Sequence, residues 1–347
     1  MAFPYALQLN SSSSSDIIQE KLRAQMAKLQ ERDRKSKEIL SDVSGKLTTL
    51  IRIIIVGWFP SFVDVSQFTN VHCLLFILSR VFYRIQALDV VYEDEHLVVI
   101  NKPSGVLTVP GKEDNHSLNK AAFDRFGCES KRMDKMVVHR LGMDTSGLVV
   151  FARTNAALRE LNGLFRTRKV TRKYEALVCG HVANDVGVIN LPIMRDYECP
   201  PYMRVSTAEH QRALIGLDPG EVGKKILESP KPSTTEYEVI SKEELDGRGV
   251  TRMTLTSVSG RTHQLNVHCA AIGHPIVGDS VYGYGGEAAS NGGLVESELP
   301  AGCASEELRK EISVASTNMP MCVHAKSISF EHPITKDILS FECKAPF

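Results

Sequence analysis

What this chain lacks narrows it first. It has no net charge, its 41 Lys and Arg balancing 41 Asp and Glu. Without a global positive field, nucleic acid is not gathered at a distance, so any RNA binding must rest on a local basic cleft. The eight cysteines are scattered and form no C-x-x-C pair. That argues against a zinc ribbon or a dense disulfide scaffold and fits a reducing compartment. Neither a dinucleotide fingerprint nor a P-loop is present. The apolar runs Leu50–Phe59 and Val71–Leu78 are interrupted by Gly57, Pro60, Asp64 and Asn70. Both fall well short of the roughly 18 residues needed to span a bilayer, so no membrane partner is expected. The start has no basic n-region, its first basic residue being Lys21. An Arg-rich transit peptide is not evident either, while the serine run keeps an organellar address (chloroplast or mitochondrion) open beside a cytoplasmic one.

What is present divides at about residue 86. Residues 1–85 read as an N-terminal extension: a disordered start, a charged amphipathic helix from Asp16 to about Val43, and an apolar segment of unassigned role. Residues 86–347 are compact and mixed, with strands that cluster instead of alternating with helices. This predicts an α+β fold on a mostly antiparallel sheet. Ser117 is placed to cap a short helix that Gly127 ends, and Thr154 to cap a second over 155–165. Residues 285–320, small, polar and glycine-rich, read as an insertion loop with one helix from Ser305.

Two stretches carry the chemistry. Val137–Arg153, VVHRLGMDTSGLVVFAR, predicts a hairpin: Val137–Leu141 as one arm, Leu148–Phe151 as the other, and a polar turn between. It presents Arg140 and Asp144 either as the mouth of a cleft or as an ordinary turn in which Asp caps its own backbone. The second stretch is Ser259–Gly283, with a helix expected over 261–272. His263, His268 and His274 are five and six residues apart, a spacing that does not share one helix face, so no metal site is expected.

Together these stretches resemble the RluA-type pseudouridine synthase family. The first matches the family's His-Arg-Leu-Asp, then Thr-Ser-Gly, signature at every named position but the Asp. The second matches Gly-Arg-x-His-Gln-Leu and Gly-His-Pro-Ile-x-Gly-Asp. Asn101–Gly105, Arg172–Ala176 and Val323-His324-Ala325 fall in the family's order, so the resemblance covers about 86–347. It implies a bent, mostly antiparallel mixed sheet with flanking helices and a central cleft. It further implies that a flipped-out uridine in rRNA or tRNA is isomerised to pseudouridine without cofactor, by a monomer. Arg261 would pair with the catalytic carboxylate, and Tyr174 would stack on the uracil. Leu265 would line the pocket. Arg140 would sit beside the flipped nucleotide, with His139, Thr145, His263 and Gln264 completing the substrate contacts. The small S4 RNA-binding module frequent in the family has no counterpart in 1–85.

One position departs from the pattern. Gly142 stands where the family carries its catalytic Asp, and the nearest carboxylate is Asp144. Residues two apart on an extended segment share a face, but their Cα atoms lie about 6–7 Å apart. Three readings follow: Asp144 replaces the missing group; the domain binds RNA without isomerising it; or another base serves, for which no candidate is visible.

Overall fold

The computed structural model describes residues 88–111, 116–216, 220 and 223–347. The amphipathic helix and apolar segment expected within 1–85 lie outside the described residues. Leu88–Phe347 forms one compact unit.

Strands come first where apolar runs are short and bounded by turns. β1 (Val90–Glu93) and β2 (Leu97–Lys102) form an antiparallel pair around the Asp94 turn. β3 (Ser146–Ala152) lies on β2's other side and is buried along its whole length. Its side chains alternate between faces, as strand geometry requires. Leu148 and Val150 pack with Leu97, Val99 and Leu161, while Val149 and Phe151 pack with Val98, Ile100 and Met136. β4 (Thr171–Cys179), β8 (Thr234–Leu245) and β9 (Arg248–Ser257) are long antiparallel strands, with β5 (Val186–Asn190) at the far edge. The sheet order is β1-β2-β3-β10-β4-β9-β8-β5, with β10 (Val323–Glu331) also carrying β11 (Ile338–Glu342). β6 (Ile193–Arg195) and β7 (Met203–Val205) form a separate two-stranded ribbon.

The helices obey local signals. α1 (Leu118–Phe126) begins where the Ser117 hydroxyl accepts the Lys120 N–H and ends at Gly127, whose φ is 61°. α2 (Asn155–Arg166) begins where the Thr154 hydroxyl accepts the Ala157 N–H. A short α3 (Ala208–Ala213) follows the β6–β7 ribbon. α4 (Gln264–Ala271) covers the central face of the sheet, and α5 (Glu306–Ala315) starts at the Ser305 cap. No described helix is long and apolar enough to cross a membrane.

Two expectations need correction. The first arm of the central hairpin is not a regular strand. Residues 133–136 form a 3₁₀ turn, Val137 makes one bridge to Phe151, and residues 138–145 run irregularly. The reason is a side chain: His139 Nε2 accepts the Val150 N–H at 3.0 Å, which a strand partner's carbonyl would otherwise take. The helix expected from Arg261 begins instead at Gln264, because His263 is left-handed with φ 50°. Arg261 therefore lies in a loop. Within 285–320 the helix expected from Ser305 forms, and Ala288, Ala304, Arg309 and Ile312 are buried.

The two halves of the sheet meet where β10 runs parallel to β3, His324 opposite Ser146 and Ala325 opposite Gly147. Gly147 has a φ of 112°, and a Cβ there would overlap the Ala325 backbone. This approach makes glycine obligatory. Gly147→Ala is expected to lower stability by about 2 kcal/mol or more, read as the urea midpoint. Wild-type stability in that variant would mean the strands do not approach so closely.

Candidate active site

The turn between the irregular arm and β3 is held by the loop that follows β2. Lys102 is fully buried, and its ammonium donates to the carbonyls of Pro103, Val106 and Met143, each at 2.8 Å. The Gly105 N–H also reaches Met143 O at 3.0 Å. Ser104 Oγ donates to Asp144 O at 2.7 Å. Thr108 Oγ1 accepts the Leu141 N–H at 3.1 Å and donates to Leu141 O at 2.9 Å. Residues 141–144 are thus fixed through their backbone, whatever their side chains.

Leu141 then directs the turn inward. It packs on the cluster containing Tyr174, Ala176, Met253, Leu255, Leu265 and Ala325. Tyr174 comes from β4 and Leu265 from α4, at 7% and 9% exposure. Gly142 itself is exposed and its φ lies outside the left-handed region. A Cβ added there would meet only Thr145 Oγ1, at 3.4 Å.

The Arg261 loop is set by Gln264, which is 2% exposed. Its Oε1 accepts from Ser259 Oγ at 2.7 Å and Arg261 N at 2.8 Å. Its Nε2 donates to Thr234 O at 2.8 Å and Thr235 Oγ1 at 2.9 Å. All four hydrogen-bonding positions of the amide are used within the protein, so Gln264 positions Arg261 rather than touching substrate. The Arg261 side chain makes one weak bond, Nε to Pro232 O at 3.4 Å, and no carboxylate lies within 4 Å of it among the described residues.

The remaining expected residues separate into two kinds. Arg140 is exposed, with no ion pair among the described residues, and Thr145 lies beside Gly142. His139 is scaffold: its ring stacks on Phe165 at 4.7 Å, and burial, with Arg172 beside it, drives its pKa down to about 3, so it stays neutral. His263 joins the Arg261 loop to the β6–β7 ribbon: its Nδ1 and the Tyr282 hydroxyl are 2.8 Å apart, and that hydroxyl also receives the Met203 N–H at 3.0 Å. The three histidines of this region diverge, His268 to Thr235 and Leu191 and His274 to the Cys179 carbonyl. Among the described residues no group of three or more His, Cys, Asp or Glu is placed to hold a metal.

Asp144 is half-buried. Its charge acts on Lys102, and it makes no ion pair with Arg261 within 4 Å. The sequence reading gave Lys102, Ser104 and Thr108 no role. The available signal was Lys102 itself, a cation closing the apolar run Leu97–Ile100 ahead of a proline.

A mixed, mostly antiparallel sheet on which the turn at Leu141, Tyr174 and Leu265 share one apolar cluster is thus the frame of the candidate site. Residues 96–271 match the RNA pseudouridylate synthase family. The chain is 34% identical over 263 residues to the dual-specificity RNA pseudouridine synthase RluA of Haemophilus influenzae, covering 75% of this chain and 94% of that one. To the Escherichia coli K12 protein of the same name it is 32% identical over 260 residues, covering 75% and 94%. Among solved structures it resembles human RNA pseudouridylate synthase domain containing 1, with a TM-score of 0.52 and 25% identity, over 76% of this chain and 85% of that one. Human RNA pseudouridylate synthase domain containing 4, at 24% identity and TM-score 0.50 over 78% and 92%, shares the fold. The chain belongs to the RluA-type RNA pseudouridine synthase family, which makes RNA the class of its substrate.

The Lys102 clamp carries a pH signature. Burial pushes its ammonium from 10.5 down to about 8, with the Asp144 charge opposing. Between those values the unfolded chain holds a proton that the folded one has released, so the lysine's contribution to stability rises with pH across that window. Lys102→Met leaves the Pro103 and Val106 carbonyls without this donor and Met143 O with the Gly105 N–H alone, and is expected to cost about 2 kcal/mol or more at pH 7. The gap to wild type, measured by urea unfolding, should widen above pH 8. A gap constant with pH would contradict the lowered pKa.

Proposed function

We propose that the domain accepts a uridine flipped out of an RNA stem-loop and isomerises it to pseudouridine. The flipped base would lie between Tyr174 and Leu265, with Arg140 beside the vacated stack. Eversion costs a few kcal/mol and favours loop uridines. The reaction breaks the C1′–N1 bond, turns the freed uracil in place, joins C1′ to C5, and passes the C5 proton to a base while N1 takes up a proton, so that product and substrate are isomers. It is redox-neutral and uses no cofactor. A carboxylate acts as nucleophile or base, Arg261 holds it ionised, and Tyr174 stacks on the ring and assists removal of the proton. Asp144 is the nearest carboxylate in the turn. The observation that carries this reading is the shared cluster: Leu141, Tyr174 and Leu265 bring the turn, the aromatic face and the Arg261 loop onto one wall. tRNA and rRNA stem-loops are the proposed substrates, since the bacterial relatives are named dual-specificity enzymes, and the protein acts as a monomer.

A second reading is favoured by one specific observation, that Asp144 has Lys102 and not Arg261 as its electrostatic neighbour. On that reading the domain docks RNA without turnover. Both are separated by tritium release from [5-³H]uridine transcripts, with RNA binding measured in parallel. Catalysis through Asp144 predicts release by wild type and a fall of about 10²–10⁴-fold in Asp144→Asn. Undiminished release by that variant would clear Asp144. Docking alone predicts that wild type binds and stays silent while Gly142→Asp, for which the turn has room, gains release.

A further inference from the structure

Between the C-terminal end of α2 and the start of β4 runs a basic stretch, Arg166, Arg168 and Lys169. All three side chains are exposed. The turn that presents them is well defined: the Lys169 N–H reaches Leu164 O at 2.9 Å, and Arg168 is left-handed with φ 58°. A cation at a helix C-terminus is favoured by the helix dipole, which accounts for Arg166 but not for the two beyond it.

Contacts around Phe165 join this run to the cleft. His139, adjacent to Arg140, stacks on the Phe165 ring, and the Arg172 guanidinium lies 5.6 Å from that ring's centre. Arg172 in turn lies against Gly260, adjacent to Arg261: a Cβ on that glycine would come within 2.5 Å of Arg172 Nη2. Arg172, and the cations next to Phe165, His139 and Gly260 in the chain (Arg166, Arg168, Lys169, Arg140 and Arg261), therefore belong to segments that touch one another from the helix end to the Arg261 loop. None of these cations has a carboxylate within 4 Å among the described residues. Elsewhere in the same domain Arg153, Arg204, Arg252, Arg309 and Lys326 are each ion-paired. In a chain with as many acids as bases, this gathering supplies the local field that the composition withholds.

We propose that Arg166, Arg168 and Lys169, with Arg172 behind them, form a phosphate track for the RNA stem that flanks the everted nucleotide, and that this track provides much of the domain's affinity for RNA. The inference rests on the docking of RNA proposed above, and its partner is defined by chemistry: a polyanionic backbone leading into a pocket that takes one base. Such binding is sequence-independent and weakens steeply with salt, in proportion to the number of phosphates neutralised.

The test is the salt dependence of stem-loop binding by the full chain. Replacing Arg166, Arg168 and Lys169 together by Gln should reduce the slope of log K against log[salt] by about 2–3 and lower affinity at least tenfold at 0.1 M salt. The charge-keeping variant Arg166→Lys/Arg168→Lys should retain the wild-type slope. So should a control replacing Lys224, Lys310 and Lys344, exposed cations outside these segments, by Gln. Unchanged melting of the triple variant separates lost charge from lost fold. An unchanged slope in a folded triple variant overturns the track while leaving RNA docking in place. An equal loss in the control, or an equal change on the isolated loop strand, also overturns it. Absence of RNA binding by wild type overturns the track and the docking reading together.

Discussion

A buried ammonium with three carbonyls around it is the constraint on which the site depends. Lys102 ends a central strand, and its charge is accommodated only because Pro103, Val106 and Met143 turn their oxygens toward it. A buried cation without such partners would be costly. The requirement therefore runs both ways: the lysine orders the loop after β2, and the loop's order makes the lysine tolerable. The consequence reaches beyond one bond, because Met143 lies inside the motif that faces the pocket. Ser104, Gly105 and Thr108 add backbone ties on either side of it. Side chains in this turn are free to vary without loss of the turn.

A second junction brings the two ends of the domain to that same motif. Ser146 and Gly147 open β3 and lie against β10, a strand almost 180 residues later in the chain. Ser146 Oγ is 2.8 Å from His324 Nδ1, whose Nε2 lies 3.1 Å from Cys343 Sγ. A hydrogen-bonded path thus leads from the last segment of the chain into the turn. On the opposite face of β4, Glu175 is held by Arg252 and Lys326, whose hydrogen bonds outweigh burial and keep it ionised. Tyr174 is therefore presented by a strand anchored on its reverse side by charge and on its pocket side by apolar contact.

Local signals were legible in the sequence wherever a local cause was sufficient. Ser117 and Thr154 start their helices because one hydroxyl and one N–H three residues on decide the matter. Strand alternation through Leu148–Phe151 shows which residues face which layer. The failures fall where a distant group took over. His139 replaced a strand partner, which no run of β-branched residues discloses. α4 begins at Gln264 because that amide is committed to β8, leaving Arg261 in a loop instead of the helical register expected. At the site, residue types were legible but roles were not: Gln264 and His139 are positioning groups, and only the burial of their bonding atoms reveals it.

The same distinction bears on Gly142. A glycine is demanded where φ is positive or where a neighbour stands too close, as at Gly147. Neither holds at Gly142, whose Cβ position is open apart from Thr145 Oγ1 at 3.4 Å. The absence of a side chain there is no requirement of the fold, and the clamp from Lys102 keeps the turn in shape without it. The shape of the turn is consequently independent of the side chain at position 142. What decides chemistry is reach: whether a carboxylate anchored at residue 144, two positions along an irregular turn, can leave the neighbourhood of one cation for that of another. Among the described residues the Arg261 side chain has only Pro232 O, at 3.4 Å, for a partner, so its guanidinium is available to whichever anion arrives, carboxylate or phosphate.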